Sequence, residues 1–351
     1  MIRVPHTRRW TMATMRDVAR RAAVAPMTVS RVLNDPGSVA PKTRVRVEQA
    51  IHDLKYVPNM IGQGLRHQRT MTLALLVSDI TNPFAIQQIT AVSDAARAAG
   101  YTVIFAHTQA DPAEEMRQLR SMIERRVDGI ILSPVRNGPE PVDFVQQAGC
   151  EIVVIGYRMP ENDVDAVRCD SRSAAAELTE HLLLLGHRRI TMLSGQREIV
   201  TAVDRADGYR DAMDAAGLPV DIRYGDFTIA SGYAMAEGVL DAPSGPTALV
   251  TANNFIAIGA ARRASERGAT IPDDLSIVTF DNARTEIVHD PFFTGIVQPV
   301  DAMTRQATAL LLERLDREYS GPGRDIVLPT VLDVHGSSAV PSEQRPEPIF
   351  S

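Results

Sequence analysis

Asp17-Val18-Ala19, followed by Ala22-Ala23-Val24 and then Thr28-Val29-Ser30-Arg31-Val32-Leu33-Asn34, is the stretch that decides how this chain is read. Its spacing predicts two short helices joined by a tight turn. The second carries small polar residues and an arginine on its outer face, as a helix lying in the major groove of DNA requires. Thr14 with Asp17 three residues on forms both halves of a capping box, and Pro26 suits the first turn of the second helix, where its missing N–H is not needed. Val18, Ala19 and Ala22 then face inward on the first helix, and Val29, Val32 and Leu33 on the second. Met27, Thr28, Ser30 and Arg31 are left for the groove. A third helix is expected after Pro41, with Val45, Ala50, Ile51 and Leu54 inward and Lys42, Arg44 and Arg46 outward. Such a unit of about 55 residues stands near the lower limit for folding alone.

Charge divides the chain in the same place. Residues 1–69 hold 13 Arg and Lys against 4 Asp and Glu, while the rest hold 24 against 39. The first segment is a polyanion footprint and the second an acidic, soluble body that DNA would repel. Between them, Tyr56-Val57-Pro58-Asn59 breaks the helical pattern. Gly62 and Gly64 follow, each costing a helix roughly 1 kcal/mol against Ala, so this linker is expected to fold only on a partner. The division expected is a helical head over 14–58, a hinge over 59–70, a body over 71–340 and a disordered, proline-rich tail over 341–351. The first dozen residues read as a disordered arm or a product of start-site choice.

Two cysteines, Cys150 and Cys169, make neither a disulfide framework nor a metal cluster. No apolar run approaches the roughly 20 residues of a membrane span, and the first residues lack the apolar core of a secretion signal. A cytoplasmic protein without membrane contact is expected.

From Thr72 onward short apolar runs alternate with amphipathic stretches. Strands are expected at Leu73–Val77, Val103–Ala106, Gly129–Leu132, Ile152–Ile155, Ile190–Leu193, Ala248–Thr251, Ser276–Phe280 and Gly295–Val297. Helices are expected at Ala85–Ala99, Ala113–Arg125, Ser173–Leu185, Arg205–Ala216, Gly232–Leu240, Ile256–Arg267 and Ala302–Tyr319. This alternation predicts parallel sheets covered on both faces. About 270 residues is large for one such unit, which favours two stacked α/β lobes with a ligand cleft between them.

These features together resemble the LacI/GalR family of bacterial transcription repressors. The resemblance rests on the helix-turn-helix, on Tyr56-Val57-Pro58-Asn59 and Leu65, and on Asp79 with Asn82-Pro83-Phe84. It continues through Gly186-His187-Arg188-Arg189-Ile190, Arg205-Ala206-Asp207-Gly208-Tyr209, Thr251-Ala252-Asn253-Asn254 and Phe280-Asp281-Asn282. Pro26-Met27 resembles the gluconate repressor branch. The family implies an all-α helix-turn-helix domain, a two-lobed body like the periplasmic binding proteins, a homodimer, a palindromic operator and a sugar or sugar-acid effector. Two departures stand out: Ala23 replaces the usual Gly or Asn of the turn, and Ala25 replaces the usual Ser or Thr cap. Losing such a cap typically costs about 1 kcal/mol. Gly156-Tyr157-Arg158 stands where many relatives have a sugar-binding Asp.

The candidate DNA-binding residues are therefore Thr14, Pro26, Met27, Thr28, Ser30, Arg31, Asn34, Tyr56, Asn59 and Leu65. Arg31 is long enough for a guanine or a phosphate, Thr28 and Ser30 suit phosphates, and Pro26 and Met27 suit a thymine methyl. By resemblance Leu65 is a wedge for the minor groove; the alternative is a leucine packed on its own domain. For the effector the family implies Asp79, Asn82, Phe84, Arg205, Phe227, Asn253, Asp281 and Gln298, with Arg158 added from the departure. Aromatic faces flank a sugar ring while Asp, Asn and Arg hold hydroxyls or a carboxylate. The plainer alternatives are Asp281 as a turn cap, Arg205 paired with Asp204 or Asp207, and Phe227 in the core. Catalysis has no support: there is no phosphate-cradling glycine loop, Gly-x-Ser-x-Gly or His-Glu-x-x-His, and no cofactor is implied. His187 is expected to be structural. Alternatives from other classes are a sugar-binding protein of a transport system and a nucleotide-dependent enzyme.

Overall fold

The computed structural model describes residues 13–57, 69–136, 138–159, 162–242, 244–281 and 292–342. The chain divides into two units between Thr70 and Met71. Residues 1–12, residues 58–68, on which Asn59, Leu65 and most of the expected hinge fall, and residues 343–351 of the expected tail lie outside the described residues.

The first unit contains α1 (Met15–Arg21), α2 (Pro26–Asn34) and α3 (Pro41–Asp53). The capping box is present: the Asp17 amide donates to the Thr14 hydroxyl and the Thr14 amide to the Asp17 carboxylate at 2.9 Å. Pro26 opens α2, whose cap Ala25 offers no side-chain bond. Val18, Ala19, Ala22, Val29, Val32, Val47, Ala50 and Tyr56 form the core. One expectation fails here, because Val45 is 62% exposed and Val47 takes its place inside. Val47, Ala50, Ile51 and Leu54 follow the i, i+3, i+4, i+7 stripe, and two residues' displacement puts Val45 on the opposite side of the helix.

The second unit has two six-stranded sheets. The chain lays down β1 (Thr72–Val77), β2 (Thr102–His107), β3 (Gly129–Leu132), β4 (Glu151–Ile155) and β5 (Asp165–Cys169) in the first. It then crosses to build β6 (Ile190–Ser194), β7 (Ile222–Tyr224), β8 (Ala248–Thr251), β9 (Ser276–Phe280) and β10 (Thr294–Val297) in the second. It returns for β11 (Asp325–Leu328) and crosses again for β12 (Val331–Asp333). The orders are β11-β5-β4-β3-β1-β2 and β12-β10-β9-β8-β6-β7. All pairings are parallel except that of β12 with β10.

Helices cover both faces of the first sheet. Leu73, Leu75 and Val77 meet α4 (Pro83–Ala98) and α11 (Val300–Leu315), while Ala74 and Leu76 point to the other face, toward α5 (Pro112–Glu124) and α6 (Glu140–Gln147). Burial on both sides is why β1 reads as a continuous apolar run. The second sheet is packed by α7 (Ser171–Leu184), α8 (Val200–Ala215), α9 (Ile229–Leu240) and α10 (Asn254–Glu266) in one apolar cluster. Gly208 lets α8 lie against α7, since a Cβ there would collide with the Arg172 carbonyl.

Elements absent from the sequence-based expectation are α6, β5, β7, β11 and β12. β5 was hidden by Asp165, a wholly buried carboxylate that Arg314 and Arg324 hold at 2.8 and 2.9 Å. The others are short, and α6 begins among prolines. Pro341, expected to start the disordered tail, is buried.

Candidate DNA-binding surface and effector cleft

On α2 the packing of Val29 and Val32 decides what points outward. Pro26, Met27, Arg31 and Asn34 are exposed, and Thr28 and Ser30 are half-buried beside them. The Asn34 amide donates to the Ser30 hydroxyl at 3.3 Å. Thr14 is exposed but engaged in its cap. Tyr56 is buried in the head's core. The hairpin between the helices turns at Ala23, whose φ of 52° is left-handed.

In the body, the candidates follow the C-terminal ends of parallel strands, where open α/β sheets bind ligands. The second lobe brings several together. Arg205 of α8 is 5% exposed. Its guanidinium lies 4.1 Å from the Phe280 ring centre and 3.6 Å from the Asp281 carboxylate, and donates to the Ala252 carbonyl. Its Nε is buried without a hydrogen-bond partner among the described residues. Gln298 donates to the other oxygen of Asp281, whose backbone is left-handed with φ 61°. A buried cation held between a ring and a carboxylate, with one N–H left over, is suited to a polar ligand atom.

Asn253 caps α10, accepting from the Ile256 amide at 2.9 Å, and its side-chain amide reaches the Phe227 carbonyl at 3.5 Å. The Phe227 ring lies over Gly195, where a Cβ would collide with it, and it also packs against the lobe's apolar core.

The first lobe's candidates make local bonds instead. Asp79 accepts from the Thr81 amide and hydroxyl, both at 2.8 Å, and Asn82 caps α4 through the Phe84 amide at 3.0 Å. Phe84 is half-buried in that first turn. None of these bonds reaches the Arg205 cluster. Arg158 stands 3.9 Å from Asp325 and lines a pocket that does not include Arg205 or Asp281.

Two polar residues of the first lobe were missed from sequence. Burial raises the Tyr157 phenol above its ordinary value, and the nearby Arg205 cation lowers it in part. The replaced Asp at Gly156 was the signal that this segment had changed. Glu115 is buried on α5, accepts the Val135 amide at 2.7 Å, and is pushed up to about 7 by that burial. In sequence it resembled an ordinary acidic first-turn residue. His187 is structural as expected, with ring nitrogens engaged by Thr247 at 2.9 Å and by the Ala339 carbonyl at 2.9 Å.

A helix-turn-helix head followed by a two-lobed α/β body with polar side chains at its strand ends defines a class: regulators in which a DNA-reading unit is joined to a small-molecule receptor. Residues 14–59 match the model of the bacterial regulatory proteins of the lacI family. Residues 70–324 match that of the periplasmic binding proteins and sugar binding domain of the LacI family. The chain belongs to the LacI family. It is 32% identical over 309 residues to catabolite control protein A of Priestia megaterium, covering 87% of this chain and 93% of that one. It is also 32% identical over 317 residues to the transcriptional repressor CytR of Escherichia coli K12, covering 89% and 93%. The solved complex of the transcriptional regulator CelR with cellobiose superposes with a TM-score of 0.70 at 32% identity, covering 93% of this chain and all of that one. Among the described residues no helix is long and apolar enough to cross a membrane.

Proposed function

We propose that this protein is a dimeric repressor in the cytoplasm that binds a palindromic operator through Arg31 and its neighbours on α2. Its affinity is set by a sugar or sugar acid in the cleft, and the genes controlled are those of that compound's catabolism. The observation that carries this reading is the pairing, on one chain, of an exposed recognition face with the buried Arg205, Asp281 and Gln298 cluster. The relative solved with cellobiose supports a carbohydrate ligand. A ligand shifts an equilibrium between lobe arrangements only by its difference in affinity for them, and a buried guanidinium and carboxylate supply such a difference.

Asn59 and Leu65 enter as the hinge residues expected at the operator's centre, where two leucines wedge the minor groove. Asp79, Asn82, Phe84, Phe227 and Asn253 enter as the remaining wall of the ligand site. A role in sugar transport is the weaker reading, because a transport receptor has no use for the basic head.

The test is a gel shift with pseudo-palindromic DNA from the genes beside this one, with and without a panel of sugars and sugar acids. Binding that falls steeply with salt, is lost in Arg31→Ala and is altered by one sugar is the expected result. Failure to prefer any palindrome over random DNA overturns it.

A further inference from the structure

The two edges of the second sheet are finished differently. At one edge, β7 sets the exposed, charged Arg223 between the half-buried Ile222 and Tyr224. At the other, β12 pairs with β10 on one side, and no strand among the described residues pairs with it on the other. Val331 on β12 is 62% exposed, and Val334, just past its end, 57%. A free strand edge with apolar side chains is a template for another strand, and folded proteins blunt such an edge with charge or cover it. The β7 edge is blunted; the β12 edge calls for a cover.

One segment of this chain has the reach to provide it. After β12 the backbone passes the starts of β10 and β9, where the Thr294 amide donates to the Ser337 hydroxyl at 2.8 Å and the Ala339 amide to the Ser276 hydroxyl at 3.1 Å. Pro341 is buried, so the chain is anchored at that end of the sheet. There β9 is two places from β12, about 10 Å at the usual strand spacing. Residues 343–351, which lie outside the described residues, read Glu343-Gln344-Arg345-Pro346-Glu347-Pro348-Ile349-Phe350-Ser351. From Ser342 to Ile349 an extended chain spans about 23 Å, enough to cross that gap and run along about three residues of β12.

The prolines supply a register. Along a strand the N–H groups of alternate residues point to the same side. Pro346 and Pro348 are two apart, so the missing N–H groups fall on one side, while Arg345, Glu347 and Ile349 keep theirs on the other. Proline is admitted to a sheet where its missing N–H faces away from the ladder, and there it also denies pairing to any further strand. Ile349 and Phe350, as consecutive strand residues, point to opposite faces, so one of them falls on the face that Val331 occupies.

We propose that residues 345–350 add to the free edge of β12 as an antiparallel strand, with Ile349 and Phe350 against Val331 and Val334 and both prolines turned outward. The direction follows from the anchor, which lies at the end where β12 finishes. The polar, proline-rich composition that reads as disorder is then that of an edge strand, and the segment closes the sheet against a second copy of the chain.

Hydrogen exchange followed by mass spectrometry on the full chain tests this. The expected result is that the amides of residues 331–334 exchange roughly tenfold more slowly in the full chain than in a variant ending at Ser342, with β7 unchanged. Two substitutions read the register. Glu347→Pro removes an N–H on the side facing β12 and gives the fast rate of the shortened chain, whereas Pro348→Ala acts on the outer side and keeps the slow rate. Equal exchange in the full and shortened chains overturns the proposal, as does a Glu347→Pro variant that stays slow. Slow exchange that is lost on dilution of the full chain assigns the edge to a second copy and overturns it too.

Discussion

The head and the body are held together by different means. In the head, the buried side chains are mostly valine and alanine, α2 has no side-chain cap, and its turn passes through a left-handed alanine. In the body, three apolar clusters of larger residues combine with polar ties that reach across the fold, such as those from Asp165 to Arg314 and Arg324. The difference teaches where stability is concentrated: the body is preorganised around its cleft, and the head is left close to the threshold of folding, where an operator can add the missing order.

The largest expected effect is on the body. Asp165→Asn removes the charge from a buried group that two arginines hold, and breaking such a group costs about 3 kcal/mol. Burial alone would raise this carboxyl, but the hydrogen bonds from Arg314 and Arg324 outweigh it and hold it at about 2, below its ordinary 3.8. Its contribution is therefore complete above about pH 4 and lost as pH falls toward 2. Denaturant unfolding at pH 7 and at pH 3 should show the gap between variant and wild type narrowing in acid; a gap independent of pH would remove the charge argument.

Next in size is the ligand site. Arg205→Ala should cost the effector about 1.5–3 kcal/mol, roughly ten- to a hundredfold in affinity, while operator binding persists. Fluorescence anisotropy on labelled operator with titrated effector separates the two. If the variant releases operator at the same effector concentration as wild type, the cluster is structural only.

Glu115 gives a smaller effect with its own pH signature. Its folded value of about 7 lies above the ordinary 4.5, so the protonated form is favoured by folding. Stability is then highest at low pH and falls as pH rises from about 4.5 to 7. Glu115→Gln keeps an acceptor for the Val135 amide and should gain on the order of 2 kcal/mol over wild type at pH 8. Thermal unfolding from pH 5 to 8 checks this, and parallel curves for the two proteins would contradict it.

The smallest effect is on the head. Ala23→Gly relieves a left-handed backbone and should stabilise the head by about 1 kcal/mol, and Ala25→Ser should add a similar amount through the absent cap. Hydrogen exchange at the α2 amides of the full chain reads this directly. If these changes slow exchange in the body as much as in the head, the contrast between the two regions is wrong.

The head's helices were legible because their signals are local: a capping box spans three residues, a proline marks a first turn, and a helical stripe repeats within one segment. The body's central strands were legible for the same reason, as at Gly129–Leu132, Ala248–Thr251 and Ser276–Phe280, whose bounds match the structure. The exposure of Val45 shows the limit, since two valines two residues apart compete for one stripe and only packing selects between them. For the site, family motifs pointed to Arg205, Asp281 and Gln298, which the fold does bring together, and to Asp79 and Asn82, which it engages in local turns.

Sequence by itself determined the class of the strongly patterned helices and central strands, the division of charge, and the family, because these depend on composition and short-range spacing. Tertiary structure alone decided that Asp165 and Arg314, 149 residues apart, are partners, that Arg168 of β5 meets Asp325 of β11, and that Asp204 and Asn162 line one pocket. The physical reason is that a charge or a buried acceptor is satisfied by whatever the fold places within about 3 Å, and no periodicity along the chain records which distant residue that will be.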